Sequence, residues 1–361
     1  MISEKLSDGS VGTTSTSPRV PPTMRAIVQR RYGSTDALHH TITATPAVRD
    51  GEVLIAVSAA AVDRATWHLM TGRPYAARLA YGLRRPKTPI PGCGLAGTVV
   101  EVSGQVERFD VGDRVFGIGR GAFSEYATAA EDQLALIPNG LDFEAAAAVP
   151  DSGLTALQAV TEVAQVAVGQ SVLIIGASGG VGSFATQIAS NIGADVTGVC
   201  SGAKAELVRS LGASRVIDYQ RAAIESEGTN YDVVLDIGGN TPLRRLRNVM
   251  QARGTLVIVG GEGGGRWFGG ADRQVRALAW SRFTTQRLTT FIATEHHEGL
   301  DTLARMLADS SVVSAVTRRC ALADAPRAID DLVAGRIAGK AVIVIDHGII
   351  DHDVSEAAGA S

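Results

Sequence analysis

The stretch VLIIGASGGVGSFATQIASNIGADVTGVCSGAK, from Val172 to Lys204, decides the fold. It has the pattern of a buried strand, a glycine-rich turn, a helix and a second strand, about one βαβ unit. The glycines stand where a strand reverses tightly into a helix, and they let backbone N–H groups approach a diphosphate. The pattern predicts a dinucleotide site at Gly176, Ser178, Gly179, Gly180, Val181 and Gly182. The alternative is a glycine turn that serves only tight packing.

The end of the second strand bears on which dinucleotide binds. An NAD site would place an Asp or Glu about 20 residues beyond the glycines, where it accepts hydrogen bonds from the ribose hydroxyls. Here the strand ends at Cys200 and is followed by Ser201, Gly202, Ala203 and Lys204. A hydroxyl and a cation suit a 2′-phosphate, and Tyr219 can cover the same group, so we predict NADPH (NADP). Lys204 as a solvated helix lysine and Tyr219 as an exposed loop residue are the alternatives.

The pattern on either side predicts two domains. After residue 150, strands alternate with helix-length segments, which is typical of a doubly wound parallel sheet. From Met24 to about 150, short β-rich segments are broken by Gly and Pro, and the apolar GKAVIVI near the C-terminus has the same character. We predict a β-rich domain split over 24–150 and 301–346, a nucleotide domain over 151–300, and flexible tails at 1–23 and 347–361.

Composition excludes several classes of function. The chain of 361 residues is 45% hydrophobic with a formal net charge of −3, and it contains no block of basic residues that would indicate a nucleic-acid partner. No apolar segment is long enough for a membrane helix, and no signal peptide pattern precedes the first strand. The three cysteines form no CxxC pair. These features predict a cytoplasmic protein that binds neither nucleic acid nor membrane.

With these motifs in their order, the chain resembles the medium-chain dehydrogenase/reductase superfamily, and within it the zinc-independent quinone oxidoreductase and enone reductase branch. The matching segments are PGCGLAGTVVEVSG, DVGDRVFGIGRGAFSEYA, AAAVPDSGLTALQAV, VLIIGASGGVGSFATQIA, LGASRVIDY, YDVVLDIGG, GTLVIVGG and GKAVIVI. The resemblance implies an α/β fold: a GroES-like β-rich catalytic domain, a Rossmann domain and a cleft between them. It also implies a homodimer that pairs an edge strand in WSRFTTQRLTTFIA.

Zinc enzymes of this superfamily supply ligands at positions that correspond here to Asp63, Cys93 and Asp151. The usual histidine is Cys93, and the neighbouring glutamate is Gly94. A Cys with two Asp is an unusual set for catalytic zinc, so we predict no bound metal. A metal-dependent alcohol dehydrogenase that uses these three residues is the alternative.

Without a metal, the resemblance implies hydride transfer from NADPH to an activated acceptor, a small-molecule quinone, enone or related carbonyl compound. The segment VDRATWHLMTG departs from the family pattern. We predict that Asp63, Arg64 and His68 are catalytic, with His68 as a proton donor or oxyanion partner. A surface histidine and an Asp63 that only caps a helix are the alternatives. The departure also leaves open a non-catalytic NADPH-binding protein.

The resemblance implies further cofactor contacts outside the glycine turn. They are Thr155, Asp236, Gly238, Val259, Gly260 and Lys340. The glycine-rich segment from Gly260 to Gly270 is predicted to move when the cofactor binds.

Overall fold

The computed structural model describes residues 20–226, 228, 230–239, 241–260, 267, 269 and 271–347. The predicted tail at 1–23 lies mostly outside the described residues. Its last residues are held in place, because the backbone N–H of Thr45 donates to the carbonyl of Pro22 at 3.0 Å and its hydroxyl donates to Pro21 at 2.7 Å. The predicted tail at 347–361 lies outside the described residues, except for His347.

Fifteen strands are assigned within the described residues. In chain order they are β1 (Thr23–Gln29), β2 (Leu38–Ala44), β3 (Glu52–Val62), β4 (Gly94–Val102), β5 (Arg114–Ile118), β6 (Tyr126–Ala130), β7 (Leu134–Leu136), β8 (Ser171–Ile175), β9 (Asp195–Cys200), β10 (Arg215–Asp218), β11 (Tyr231–Asp236), β12 (Met250–Ile258), β13 (Arg287–Thr290), β14 (Val316–Ala321) and β15 (Lys340–Val344).

Ten α-helices connect the strands in the same part of the chain. They are α1 (Arg64–Thr71), α2 (Arg78–Tyr81), α3 (Phe143–Ala147), α4 (Pro150–Leu157), α5 (Gly180–Ile192), α6 (Ala205–Ser210), α7 (Leu243–Asn248), α8 (Ala271–Ser281), α9 (His297–Ala308) and α10 (Ala325–Val333). Among the described residues, none of the helices combines the length and apolarity that crossing a bilayer requires.

Strands β8 to β13 form a six-stranded parallel sheet in the order β10-β9-β8-β11-β12-β13. This is the strand order of a doubly wound dinucleotide-binding sheet, whose ligand site lies at the carboxyl ends of the strands where the order reverses. Here the reversal falls between β8 and β11. The glycine turn follows β8 directly, so the fold places it at that point.

The other strands form a seven-stranded mixed sheet in the order β14-β15-β3-β4-β5-β7, with β6 also paired to β3. β15 runs antiparallel to β3, and Ala341 faces Val62 in the register. Lys340 is therefore brought next to Asp63, although the two residues lie near opposite ends of the sequence. The predicted α/β fold class, a GroES-like domain joined to a Rossmann domain, is confirmed.

One hydrophobic core continues from one sheet to the other. It includes Ala59, Ala96 and Phe116 of the mixed sheet together with Leu154 of α4 and Phe184 of α5, all of them buried. Because α4 and α5 pack against each other, the helix that begins at the glycine turn is anchored to the wall of the β-rich domain. The cleft between the domains thus has apolar packing behind it.

Candidate active site

A cavity of about 570 Å³, the main cavity, lies between the two sheets at the carboxyl end of β8. Predicted site residues that line it are Asp63, Arg64, Thr155, Gly176, Ser178, Gly179, Gly180, Val181, Lys204, Tyr219, Gly238 and Lys340. Two sequence-distant groups therefore meet here, the glycine turn and the segment after β3. The last part of the lining, from Leu332 to Gly339, was not predicted.

The glycine turn is sterically restricted. Gly176 has a φ of +85°, in the left-handed region where a side chain is strained. A Cβ added to Gly182 would lie 2.1 Å from the carbonyl oxygen of Gly176, so the first turn of α5 packs on the end of β8. Gly182 is thus a packing residue beneath the cavity, whereas Gly179 and Gly180 line it at the N-terminus of α5. A helix N-terminus with no side chain in front of it suits an anionic group.

One end of the main cavity, the β9 end, is defined by Ser201, Lys204 and Tyr219. The Lys204 Nζ donates to the carbonyl of Gly335 at 2.8 Å and to that of Ile337 at 2.6 Å, and partial burial lowers the pKa of this lysine. Tyr219 lines the cavity and is 61% exposed. Ser201 is half-buried and does not line the cavity. A cation and a phenol are thus available here for an anion.

An acid lies near the β9 end as well, which the sequence analysis missed. Asp218 is the last residue of β10, and its Oδ2 lies 2.5 Å from where a Cβ on Gly202 would be. Its Oδ1 accepts a hydrogen bond from the backbone N–H of Gln220 at 3.0 Å. In the sequence, an acid was expected only at the end of the second strand of the nucleotide domain. Asp218 instead belongs to the third strand, β10. The parallel pairing of β9 with β10, in which Asp218 faces Cys200, is what brings it there.

Asp236 is placed beneath the main cavity. Its carboxylate is fully buried, forms an ion pair with Arg273 and accepts from the backbone N–H of Gly239 at 3.2 Å. Burial is the largest effect on this group and raises its pKa. The neighbouring Gly238 lines the cavity, so Asp236 supports the turn from below.

Val259 and Gly260 lie beside that turn. Their backbone N–H groups donate to the carbonyl of Asp236 at 3.0 and 3.3 Å, and neither residue lines the main cavity. Most of the segment from Gly260 to Gly270, which was predicted to move, lies outside the described residues.

The other end of the main cavity holds what we name the acid–lysine cluster, defined as Asp63, Asp151, Ser152 and Lys340. The Lys340 ammonium forms an ion pair with Asp63 and approaches the Ser152 hydroxyl at 3.0 Å. The Ser152 hydroxyl in turn donates to Asp63 Oδ1 at 3.1 Å. Lys340 is only 1% exposed, so its charge depends on this partner. Ser152 was not predicted, although it lies inside the motif AAAVPDSGLTALQAV.

The cluster contains two carboxyl groups for one ammonium group. Burial and the neighbouring carboxylate of Asp63 raise the pKa of Asp151 well above its ordinary value, and Lys340 lowers it less. The Oδ2 atoms of Asp151 and Asp63 are both buried, and neither has a hydrogen-bond partner among the described residues. Two ionised carboxylates would repel each other in this environment. Burial and Asp63 therefore favour the protonated form of Asp151.

The predicted correspondence of Asp63, Cys93 and Asp151 to zinc ligands does not produce a metal site. Among the described residues, no group of three or more His, Cys, Asp or Glu side chains is arranged to hold a metal ion. In addition, the Lys340 ammonium already pairs with Asp63. Burial and the nearby acids raise the pKa of the Cys93 thiol, so it stays protonated and a poor metal ligand. The residues do not fit a catalytic zinc ion.

Arg64 and His68 occupy the first and second turns of α1. Arg64 lines the main cavity, with its guanidinium 5.4 Å from the centre of the Trp67 ring. His68 lies outside the lining of that cavity. Its Nδ1 is 2.8 Å from the carbonyl of Arg73, so in the neutral ring this nitrogen carries the proton. The structure thus brings Asp63 and Arg64 to the cavity, whereas His68 is partly buried on the same helix and does not line it.

Comparison with known proteins gives the same assignment for most of the chain. Residues 49–139 match the alcohol dehydrogenase GroES-like domain, and residues 211–343 match the zinc-binding dehydrogenase domain. A quinone oxidoreductase of Pseudomonas aeruginosa is 34% identical, with 69% of this chain and 80% of that protein covered. An NADPH-dependent alkenal/one oxidoreductase from the chloroplast of Arabidopsis thaliana is 33% identical, with 61% and 58% covered.

A solved structure agrees with these relatives. The quinone oxidoreductase from Coxiella burnetii superposes with a TM-score of 0.78 at 26% identity, and the match covers 90% of this chain and 100% of that one. Although the name of one matched domain mentions zinc, the donor set described above lacks the ligands for it. The chain belongs to the medium-chain dehydrogenase/reductase superfamily, in its quinone oxidoreductase and enone reductase-like branch.

Proposed function

We propose that the protein reduces a quinone or an α,β-unsaturated carbonyl compound with hydride from NADPH. As a member of this branch it is an NAD(P)H-dependent oxidoreductase. The observation that carries the proposal is the main cavity, which joins a glycine cradle to a cluster of proton donors. When bound, the nicotinamide supplies a hydride, which forms a C–H bond at the conjugated carbon while the electron pair moves onto the carbonyl oxygen.

The residues of the chain then have to stabilise and protonate an enolate or a hydroquinone anion. The Ser152 hydroxyl and the Lys340 ammonium belong to residues of the cavity wall, and we propose that they donate to the developing negative charge, Ser152 by turning its hydroxyl away from Asp63. The raised pKa of Asp151 favours its protonated form, and we propose that this group replaces a proton that Ser152 or Lys340 gives up. We propose that Asp63 positions Lys340, since it accepts from both Lys340 and Ser152.

Arg64 and His68 have different parts in this proposal. Arg64 faces the same cavity as the N-terminus of α5 and adds a cation for the diphosphate. We propose that His68 orients α1 through its contact with Arg73. A proton from His68 would then reach the acceptor only through other groups, and this differs from the direct role predicted from the sequence.

The preference for NADPH is supported by Lys204 and Tyr219 at the β9 end, and it is opposed by Asp218. A 2′-phosphate would take Lys204 away from the carbonyls of Gly335 and Ile337, and in place of two bonds to neutral acceptors the ammonium would gain an ion pair with a dianionic group. A relative whose name includes dependence on NADPH supports the same choice.

We also propose a homodimer that pairs the exposed edge of β13. This strand is the last of the parallel sheet, and the exposed Phe283 and Ile292 flank it. Light scattering of the purified protein tests this, because Thr289→Pro on the edge strand should give monomers. The cytoplasmic location stays a prediction.

The experiment that tests the function follows NADPH oxidation by purified, metal-analysed protein with a quinone, an enone and a saturated aldehyde. Turnover of the quinone or enone without bound metal, and none of the aldehyde, is the expected result. Aldehyde turnover that rises with zinc content would contradict it. The matched variant Ser152→Ala, which removes one donor, should lower kcat more than it changes KM.

A further inference from the structure

A second cavity, which we name the apolar cavity, lies inside the β-rich domain. It has a volume of about 220 Å³. Carbon-rich side chains dominate its wall: Leu69, Ala80, Tyr81, Pro86, Ile90 and Pro91. Neither the predicted site residues nor the reaction described above uses this space. Small-molecule sites typically combine such apolar walls with a few polar groups.

The wall is a built structure. The segment from Arg78 to Cys93 folds over the domain, and the hydroxyl of Tyr32 holds it by donating to the carbonyl of Gly82 at 2.7 Å. Two backbone hydrogen bonds fix it further, from Lys87 to the carbonyl of Tyr81 at 2.9 Å and from Gln29 to that of Pro89 at 2.7 Å. The segment therefore has a defined inner face.

Two polar side chains of this wall, Gln29 and Arg120, are engaged with other partners, and Lys87 and Thr88 also line it. The amide of Gln29 donates to the carbonyl of Met70 at 2.6 Å. The guanidinium of Arg120 pairs with Glu52 and donates to the Thr128 hydroxyl at 3.1 Å. A ligand in the cavity therefore meets mainly carbon. An apolar group would gain from burial here, and a charged group would find few partners.

The apolar cavity adjoins the reaction site. Cys93 lines it, and the next residue, Gly94, lies against the acid–lysine cluster. A Cβ on Gly94 would be 3.1 Å from Asp151 Oδ2, so this glycine allows the chain to pass close to the cluster. Asp151 lines the main cavity. Consecutive residues, Cys93 in the wall of the apolar cavity and Gly94 beside Asp151, thus connect this cavity to the reacting end of the main cavity.

From this juxtaposition we infer that the apolar cavity receives the hydrocarbon substituent of the acceptor. The inference rests on the proposed function and narrows its substrate class. The preferred acceptor is an enone or quinone with an unbranched alkyl substituent, and a compact quinone is a poor substrate. Each methylene that enters the cavity adds binding energy in proportion to the apolar surface it buries, until the space is filled.

The test is a homologous series of straight-chain enones that differ by one methylene, with NADPH held constant. For the wild-type protein kcat/KM should rise about fourfold per methylene and then level off. Ala80→Trp puts an indole into the cavity and should remove this rise while leaving the shortest enone unchanged. Leu79→Trp is the matched control, because Leu79 is 76% exposed on the same helix and does not line the cavity.

The outcomes separate the two proposals. No turnover of any enone or quinone overturns the proposed function itself. Turnover that does not depend on chain length, in wild type and Ala80→Trp alike, overturns the apolar cavity as the substituent site. If Ala80→Trp is insoluble, Leu69→Ala supplies the second test. It enlarges the cavity and should move the levelling-off point to longer chains, and an unchanged point would overturn the inference.

Discussion

At the β9 end of the main cavity, Lys204 and Tyr219 are within reach of solvent, whereas in the acid–lysine cluster Asp63 and Lys340 are buried against each other. Lys204 can exchange two carbonyl partners for a ligand at little expense. Lys340 cannot lose Asp63 without leaving a charge in an apolar environment. The groups that we propose select the cofactor, Lys204 and Tyr219, can therefore be altered with little effect on stability. The acid–lysine cluster, in contrast, is tied to the stability of the fold.

The largest effect should come from breaking the buried pair. Lys340→Met leaves Asp63 without its cation, and we expect a loss of about 3–5 kcal/mol in the free energy of unfolding. Urea denaturation at neutral pH measures this. The double variant Asp63→Asn with Lys340→Met removes the orphaned charge and should recover much of the loss. A single variant as stable as the wild type would show that Asp63 is solvated.

The next effect concerns the β9 end. Lys204→Ala removes one charge-assisted contact to a 2′-phosphate, so kcat/KM with NADPH should fall about 10- to 100-fold. The value with NADH should change little, because NADH carries no phosphate there. Unfolding curves of this variant should stay close to those of the wild type, in contrast to Lys340→Met. An equal fall with both cofactors would remove Lys204 from the phosphate site.

The third effect is a pH dependence of the unfolding free energy that comes from Asp151 in the acid–lysine cluster. Because the pKa of Asp151 is raised in the folded protein, folding binds its proton more tightly. The unfolding free energy should therefore fall as the pH rises from the ordinary range of an aspartate through the raised value, by at most about 1.4 kcal/mol per pH unit.

Asp151→Asn keeps a neutral side chain of the same shape and should abolish this alkaline fall. Its stability at high pH should exceed that of the wild type. Unfolding midpoints across a pH series give the answer. An unaltered slope in the variant would mean that Asp151 is ionised in the folded protein.

The smallest effect is expected from Asp218, which lies beside the cation site of the β9 end. Asp218→Asn removes a repulsive charge and should improve kcat/KM with NADPH about fivefold relative to NADH. Glu206→Gln on α6, the helix that follows β9, is a suitable control for a change in overall charge. A shift toward NADH would instead assign Asp218 to the ribose hydroxyls.

Local sequence patterns predicted the parts of the site that one βαβ unit contains. The turn from Gly176 to Gly182 and the location of Lys204 follow from strand and helix periodicity, since the glycine turn must sit where β8 ends. Lys340 was placed near the site by the resemblance. Its ion pair with Asp63 was not predicted, because it depends on the register between β15 and β3.

The missed groups share that physical origin. Asp218 reaches the β9 end through pairing of neighbouring strands, and Arg273 reaches Asp236 from a helix that follows a glycine-rich segment. Such contacts depend on how distant elements pack, and no periodicity within one element encodes them. The contact of His68 likewise depends on the path of the chain after α1. The chain turns back there, so that the carbonyl of Arg73 lies next to the imidazole.

The pairing of β15 with β3 has a consequence for synthesis of the protein. Asp63 and its cation are separated by 277 positions in the chain, so the carboxylate emerges from the ribosome long before the lysine. During that interval the N-terminal part of the β-rich domain has no partner for a group that it must bury. We therefore expect this domain to mature only after release of the finished polypeptide, whereas the parallel sheet, whose strands are contiguous in sequence, can form while translation continues.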